Sequence, residues 1–265
     1  MYGNTKPENT MKHQQQATVA VVTGAGRGIG RAIAIAYAKV GMHVVCGART
    51  QTEIDGVTDT IRRAGGTASA VVCDVTDAKS LQALYQTAAE TYGDIHVVVV
   101  NAGMAGSHTP LADIDPDEWR QVINLNLIAA MEQCRLAIPH LRKAGGGKIL
   151  LMGSGVGRNA MPGSSAYACS KAGLAMLCRV LARELRDHNI AVNEIIPGPV
   201  RTRLTGIAEE REGRDEQGHP ILSVSDEWIK NPEDVAPIAL FLASLPNNGP
   251  SGQSFSLNGR DLGRI

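Results

Sequence analysis

The sequence predicts an α/β fold: a doubly wound parallel sheet with helices on both faces, built as one domain over residues 17–265 behind a flexible tail at 1–16. Three observations carry this expectation. Strand-length apolar runs alternate with helix-length segments along almost the whole chain. The runs are near-continuously apolar, which is how strands covered on both faces read in a parallel sheet. The first of them leads into a turn with glycine at 24, 26, 28 and 30, followed by an alanine-rich helix.

The elements follow in order. Thr18 to Val22 reads as a buried strand, and the helix after the glycine turn runs from about Ile29 through Ala32, Ile33, Ala36 and Val40. A strand at His43 to Cys46 precedes a helix from Gln51 to Ala64, which Gly65-Gly66 closes. Next come a strand at Ala68 to Cys73, a helix from about Lys79 to Tyr92 and a strand at Ile95 to Val100. The second half repeats the pattern with a long helix from about Pro116 to Lys143, a strand at Lys148 to Gly153, a helix from about Ser164 to His188 and a strand at Ile190 to Ile196. Past Pro197-Gly198-Pro199 a charged, strand-poor stretch spans 201–230, and a helix at Pro232 to Ser244 and a strand at Ser254 to Leu257 close the series. A loop of that length within a compact domain is either functional or partly disordered, so 201–230 is expected to act as a substrate lid or to lack order.

Composition excludes several classes. Lys plus Arg and Asp plus Glu both number 26, so no electrostatic footprint for nucleic acid or an anionic membrane is present. Aromatic residues make up 3%, which also argues against a base-stacking platform. No apolar run is long enough to span a bilayer, and 1–16 lacks an apolar signal core. The five cysteines form no C-x-x-C pair and have no histidine at metal-ligand spacing, so neither zinc nor a disulfide framework is expected. A cytoplasmic, thiol-reducing setting follows as the default.

In an open α/β sheet the ligand lies beyond the carboxyl ends of the strands, so each strand exit becomes a candidate. Gly24, Gly28, Ile29 and Gly30 frame a turn whose backbone can approach a ligand closely, at a helix start whose free N–H groups attract an anion such as a diphosphate. The spacing is not G-x-G-x-x-G, since the third glycine would fall on Ile29. The second strand ends Cys46-Gly47-Ala48-Arg49; an acid there would suit a free 2′-hydroxyl, whereas arginine suits a 2′-phosphate. Arg27 and Arg49 can converge on such a phosphate, or Arg49 can be a solvated helix-start residue. Asp74-Val75 and Asn101-Ala102-Gly103, ending the third and fourth strands, are exits suited to adenine and ribose. Tyr167 and Lys171 stand four apart, which stacks them on one helix face. A lysine cation favours the phenolate and brings the tyrosine pKa down from its usual value of about 10 towards a working acid/base. Ser154, at the end of the fifth strand, can donate to a carbonyl oxygen and steady developing charge.

Together these residues resemble the compact, single-domain branch of the short-chain dehydrogenase/reductase family, with its Rossmann-type sheet. The resemblance covers roughly Thr18 to Leu257. It includes T-G-x-x-x-G-x-G as Thr23 to Gly30, Asp74-Val75, N-A-G as Asn101 to Gly103, Asn126, Ser154, Y-x-x-x-K as Tyr167 to Lys171, and P-G-x-V-x-T as Pro197 to Thr202. Asn126 is matched in preference to Asn124 because the family places this residue seven positions after the tryptophan, here Trp119. The resemblance implies that Asn126 bends the long helix and holds a water linking Lys171 to solvent. It implies further that Lys171 binds the nicotinamide ribose, that Val200 and Thr202 hold the carboxamide, and that Pro197 also belongs to the cofactor site. Departures are Val100 for the first Asn of N-N-A-G, His96 for the usual aspartate, and Asn258-Gly259-Arg260 for D-G-G. His96 implies a fourth strand that relies on packing more than on polar clamps.

The implied activity is hydride transfer between NADP(H), with NAD(H) the less favoured cofactor, and a small-molecule carbonyl or secondary alcohol, by a homotetramer. A 3-oxoacyl-acyl-carrier-protein reductase is the nearest alternative, in which basic residues at 142, 143, 148, 183 and 186 either meet an acidic carrier or form a solvated helix surface. A non-catalytic NADP(H)-binding scaffold is the alternative from another class, against which the complete Ser, Tyr, Lys and Asn set argues. His108, Val156, Arg158, Met161 and Ser164 are expected to line the substrate pocket.

Overall fold

The computed structural model describes residues 17–206 and 229–258. The expected tail at 1–16 and most of the expected lid at 201–230 lie outside the described residues. Within them, seven strands form one parallel sheet: β1 Val19–Thr23, β2 His43–Ala48, β3 Thr67–Val72, β4 Ile95–Val100, β5 Gly147–Met152, β6 Ile190–Ile196 and β7 Ser254–Ser256. The spatial order is β3-β2-β1-β4-β5-β6-β7, and every pairing is parallel. Strand order reverses between β1 and β4, where such a sheet opens a crevice at its carboxyl edge.

The helices are α1 Gly28–Lys39, α2 Gln51–Arg63, α3 Ala78–Tyr92, α4 Pro116–Ile123, α5 Ala129–Lys143, α6 Ser165–Glu184 and α7 Ala236–Ser244. Burial on two sides explains why the strands read as unbroken apolar runs. One face packs Ile33, Tyr37, Ile54, Ile61 and Leu242 against Val22, Val44 and Val99, and the other packs Leu81, Leu84, Ala137, Leu141 and Leu174 against Val21, Val98 and Ile149. β3 departs from the pattern. As an edge strand it exposes Thr67 and Val72.

Local chemistry sets several helix starts. Asp77 accepts from Lys79 N at 3.0 Å to cap α3, and Asp115 accepts from Asp117 N at 2.9 Å with Pro116 at the first turn of α4. The single long helix expected over 116–143 is instead two α-helices joined by a π turn, Asn124–Ile128. The helix expected to reach His188 ends at Glu184 and gives way to a 3-10 turn, after which Asn189 takes a left-handed φ of 58° and turns the chain into β6.

Two sequence expectations are corrected here. Lys148 is no surface cation for a carrier protein: it is buried in β5, and its Nζ donates to Asn247 Oδ1. His96 does provide a polar clamp, since Val19 N donates to its Nδ1 at 3.1 Å and ties β4 to the start of β1.

That bond requires Nδ1 to be unprotonated. Burial lowers the His96 pKa below its usual value, against the opposing pull of Asp94. A folded-state pKa depressed in this way stabilises the fold fully above the unfolded value, and the benefit is lost as pH falls through the folded value. The thermal midpoint should therefore drop more steeply between about pH 7 and pH 5 in the wild type than in His96→Asn, which keeps an acceptor that does not titrate. Parallel curves would show that His96 stays uncoupled from folding.

Candidate active site

The glycine turn is built as an anion seat. Gly24 and Gly28 take left-handed φ of 62° and 54°, which a side chain would strain. A Cβ on Gly30 would lie 2.3 Å from the Gly24 carbonyl oxygen, so α1 can press against the turn only with glycine there. Arg27 caps α1 in an extended conformation without a side-chain cap bond, and no acid occupies the first turn. Its N-terminal amides therefore suit an anionic group. Thr202 lies against the turn, its Cγ2 being 3.3 Å from where a Cβ on Gly28 would stand. A backbone cradle, an uncapped helix and a crossing strand exit fit the diphosphate of a dinucleotide.

Asn101 has a part beyond the one expected. Its Nδ2 donates to the carbonyl oxygens of Thr23 at 2.9 Å and Gly24 at 3.3 Å, while Thr23 Oγ1 donates to Val99 O at 3.2 Å. The side chain therefore braces the turn from below. Ala102 is half-buried, and Gly103 lets the β4 exit pass close to two site residues: a Cβ there would be 3.0 Å from Asn126 Oδ1 and 3.8 Å from Lys171 Nζ. Val75 is buried in the core, and Asp74 Oδ1 accepts from Thr76 N at 2.9 Å and Thr76 Oγ1 at 2.7 Å. Those bonds, assisted by the Arg49 charge, hold the Asp74 carboxyl below the usual range.

The two arginines of the adenosine side part company. Arg27 Nη1 pairs with Glu53 Oε1 at 3.0 Å, and Arg203 Nη1 approaches the same oxygen at 3.4 Å. Arg49 is exposed and makes no ion pair among the described residues. Sequence reasoning missed Glu53, which lies over Gly26 so closely that a Cβ there would stand 2.8 Å from its own Cβ. The available signal was an acid in the first turn of the helix following the second strand.

At the end of β5, Lys171 is 5% exposed and its Nζ donates to Met152 O at 2.8 Å. The ammonium stands 5.7 Å from the centroid of the Tyr167 ring. Burial brings the Lys171 pKa down to about 8, opposed by the charge of Glu194. Burial also raises the Tyr167 pKa, opposed by hydrogen bonding with Ser154. In the free protein the phenol therefore shifts upward, against the expected direction, because burial outweighs the hydrogen bond with Ser154 and favours the protonated form. Ser154 Oγ also accepts from Val156 N at 3.3 Å.

Asn126 is buried in the π turn. Its Oδ1 accepts from Met104 N at 2.8 Å, and its Nδ2 donates to Met104 O at 2.7 Å and Ser170 Oγ at 3.1 Å. Those bonds link the β4 exit to α6. Both amide hydrogens are committed to protein partners, so the side chain acts as a brace, and the bend expected at Asn126 is the π turn itself.

Of the expected pocket residues, His108 and Ser164 meet, with Nδ1 and Oγ 3.0 Å apart. Arg158 turns away and pairs with Glu194 at 2.7 Å. A groove of about 430 Å³ lined by Gln82, Tyr85, Gln86 and His140 lies between α3 and α5 on the flank of the sheet and shares no residue with this site.

A doubly wound parallel sheet with serine, tyrosine and lysine gathered at the end of β5 defines the class as an oxidoreductase. Residues 18–213 match the family described as short chain dehydrogenase. A short-chain type dehydrogenase/reductase of Picea abies is 36% identical over 91% of this chain and 91% of its own. The 7alpha-hydroxysteroid dehydrogenase of Escherichia coli is 35% identical, covering 91% of this chain and 92% of its own. The crystal structure of a 3-ketoacyl-ACP reductase from Sinorhizobium meliloti matches with a TM-score of 0.80 at 34% identity, covering 90% of this chain and 96% of that one. The chain belongs to the short-chain dehydrogenase/reductase family, whose members use a nicotinamide cofactor on CH–OH groups.

Proposed function

We propose that the protein is an NADP(H)-dependent oxidoreductase that interconverts a small-molecule carbonyl and a secondary alcohol, with Tyr167 as its acid/base. The observation that carries this reading is the meeting of the buried Lys171 with the half-buried Tyr167 and Ser154 at the end of β5. When bound, the nicotinamide supplies or accepts the hydride. Gly24, Arg27, Gly28, Ile29 and Gly30 seat the diphosphate through the backbone of the turn and the start of α1. Arg49 meets the 2′-phosphate, Asp74 and Val75 border the adenine, and Asn101, Ala102 and Gly103 line the crevice. Pro197, Val200 and Thr202 hold the carboxamide end, and Lys171 binds the ribose.

In the reducing direction Ser154 Oγ donates to the substrate oxygen and steadies its charge. Burial keeps the Tyr167 proton in place, which is the state a donor needs, and the phenol gives it to that oxygen. Lys171, still cationic at neutral pH, stabilises the phenolate that remains, returns a proton to it and takes up a replacement proton from solvent. Asn126 holds the lysine end of α6 in register through Ser170. Similarity to the Sinorhizobium 3-ketoacyl-ACP reductase and to a Thermotoga maritima 3-oxoacyl-acyl-carrier-protein reductase favours an acyl thioester as one substrate class. Arg142, Lys143, Arg183 and Arg186 are exposed, but they stand just before β5 and β6 begin, at the amino edge of the sheet and opposite this site, so they read as a solvated surface and not as its carrier dock.

A cytoplasmic location is part of this reading, supported by five free cysteines. Among the described residues no helix is long and apolar enough to cross a membrane. A homotetramer is also proposed, supported by the exposed apolar side chains Ile128 and Met131 and, on α6, Met176 and Val180. Sedimentation as a monomer at micromolar concentration would refute it.

Tyr167→Phe should abolish turnover on carbonyl substrates while cofactor binding stays near wild type; substantial residual activity would remove Tyr167 from the role. For cofactor choice, one hydrogen bond to a charged group is worth about 1.5–3 kcal/mol, so Arg49→Ala should weaken NADPH roughly ten- to a hundredfold and leave NADH little changed. Ala48→Asp should shift preference towards NADH by repelling the phosphate. Comparison of kcat/KM for both cofactors checks this, and an equal loss for both in Arg49→Ala would return Arg49 to the solvated surface.

A further inference from the structure

β6 carries an acid in an otherwise apolar run. Glu194 is 1% exposed and lies between Leu151 of β5 and Ser254 of β7. Its Oε2 accepts from Arg158 Nη2 at 2.7 Å and from the Ser254 hydroxyl. Arg158 ends the short 3-10 turn Gly155–Gly157, which Ser154 begins. Gly153 stands immediately before Ser154, and a Cβ there would lie 2.0 Å from Glu194 Oε1. The carboxylate therefore occupies the space a side chain at 153 would need, directly beneath the serine. One residue earlier, Met152 O holds the Lys171 ammonium.

A buried carboxylate costs several kcal/mol unless it is paired and hydrogen-bonded, and it is weak evidence for stability alone. The placement suggests a use. We propose that Glu194 is a positioning residue of the active site: through Arg158 it fixes the turn that carries Ser154, and it sets a negative charge beside the carbonyl that holds Lys171. The proposal rests on the reading of Tyr167 and Lys171 given above.

The groups around the carboxylate are consistent with this. Arg158 reaches it from the turn, Lys171 and Cys178 feel its charge from α6, and Ser254 bonds it from β7. Glu194 favours the charged form of Lys171 against the effect of burial. Removing its charge while keeping its shape should weaken the ammonium and loosen the serine turn together.

The test is Glu194→Gln, with the Lys171 amine followed by NMR in cofactor-free, lysine-labelled protein and assigned with Lys171→Met. In the wild type that amine is expected to titrate at about 8. In Glu194→Gln it should titrate about one pH unit lower, with kcat for carbonyl reduction falling roughly tenfold and KM for the cofactor unchanged. Arg158→Gln should move the amine in the opposite direction, since it leaves the carboxylate charge unopposed, and it serves the same purpose if Glu194→Gln does not fold. Unmoved lysine titration in a folded variant overturns the proposal. A wild type without turnover on any carbonyl would instead overturn the proposed function, and the NMR titration would still judge the clamp.

Discussion

An ammonium ion buried at the end of a β-strand is the constraint around which the site is arranged. Lys171 is held by one backbone carbonyl, that of Met152, in surroundings that disfavour its charge. An isolated buried charge is expensive, and the molecule meets that cost with several devices. The β5 exit offers a carbonyl, β6 places Glu194 nearby, and the Tyr167 ring lies within cation–π range. What results is an amine whose pKa sits close to neutral and a neighbouring phenol that keeps its proton.

The sheet makes that arrangement possible because parallel strands deliver their carboxyl ends to one edge. Thr23 and Asn101 lock the ends of β1 and β4 together, which fixes the glycine turn without using the ligand. The π turn performs the corresponding task on the other flank. By widening one helical turn it lets Asn126 reach Met104 and Ser170 at once, so the β4 exit and α6 are held at a set separation. The two locks bring the anion seat and the tyrosine–lysine pair to the same edge of the sheet.

Much of this was legible in the sequence, and the reason is local. The glycine turn, the Tyr167–Lys171 spacing and the apolar strands are short-range patterns whose meaning follows from helix and strand periodicity. Long-range pairs were not legible. Glu53 meets Arg27 across 26 positions, and Glu194 meets Arg158 across 36. Asn101 could be read as an exit residue, though its commitment to Thr23 required knowing that β1 and β4 are neighbours. His96 likewise became a clamp only because Val19 lies beside it. The sign of the Tyr167 perturbation was misread for a related reason: spacing reveals which charge is near, whereas desolvation depends on everything packed around the ring.

The most direct test of this picture is the pH dependence of kcat/KM for carbonyl reduction by the wild-type protein at saturating reduced cofactor. The expected profile is level through neutral pH and falls in the alkaline range around 8, as Lys171 loses the charge that supports proton transfer from Tyr167. A profile that stays level beyond about pH 10, the usual range of a free tyrosine or lysine, would contradict it.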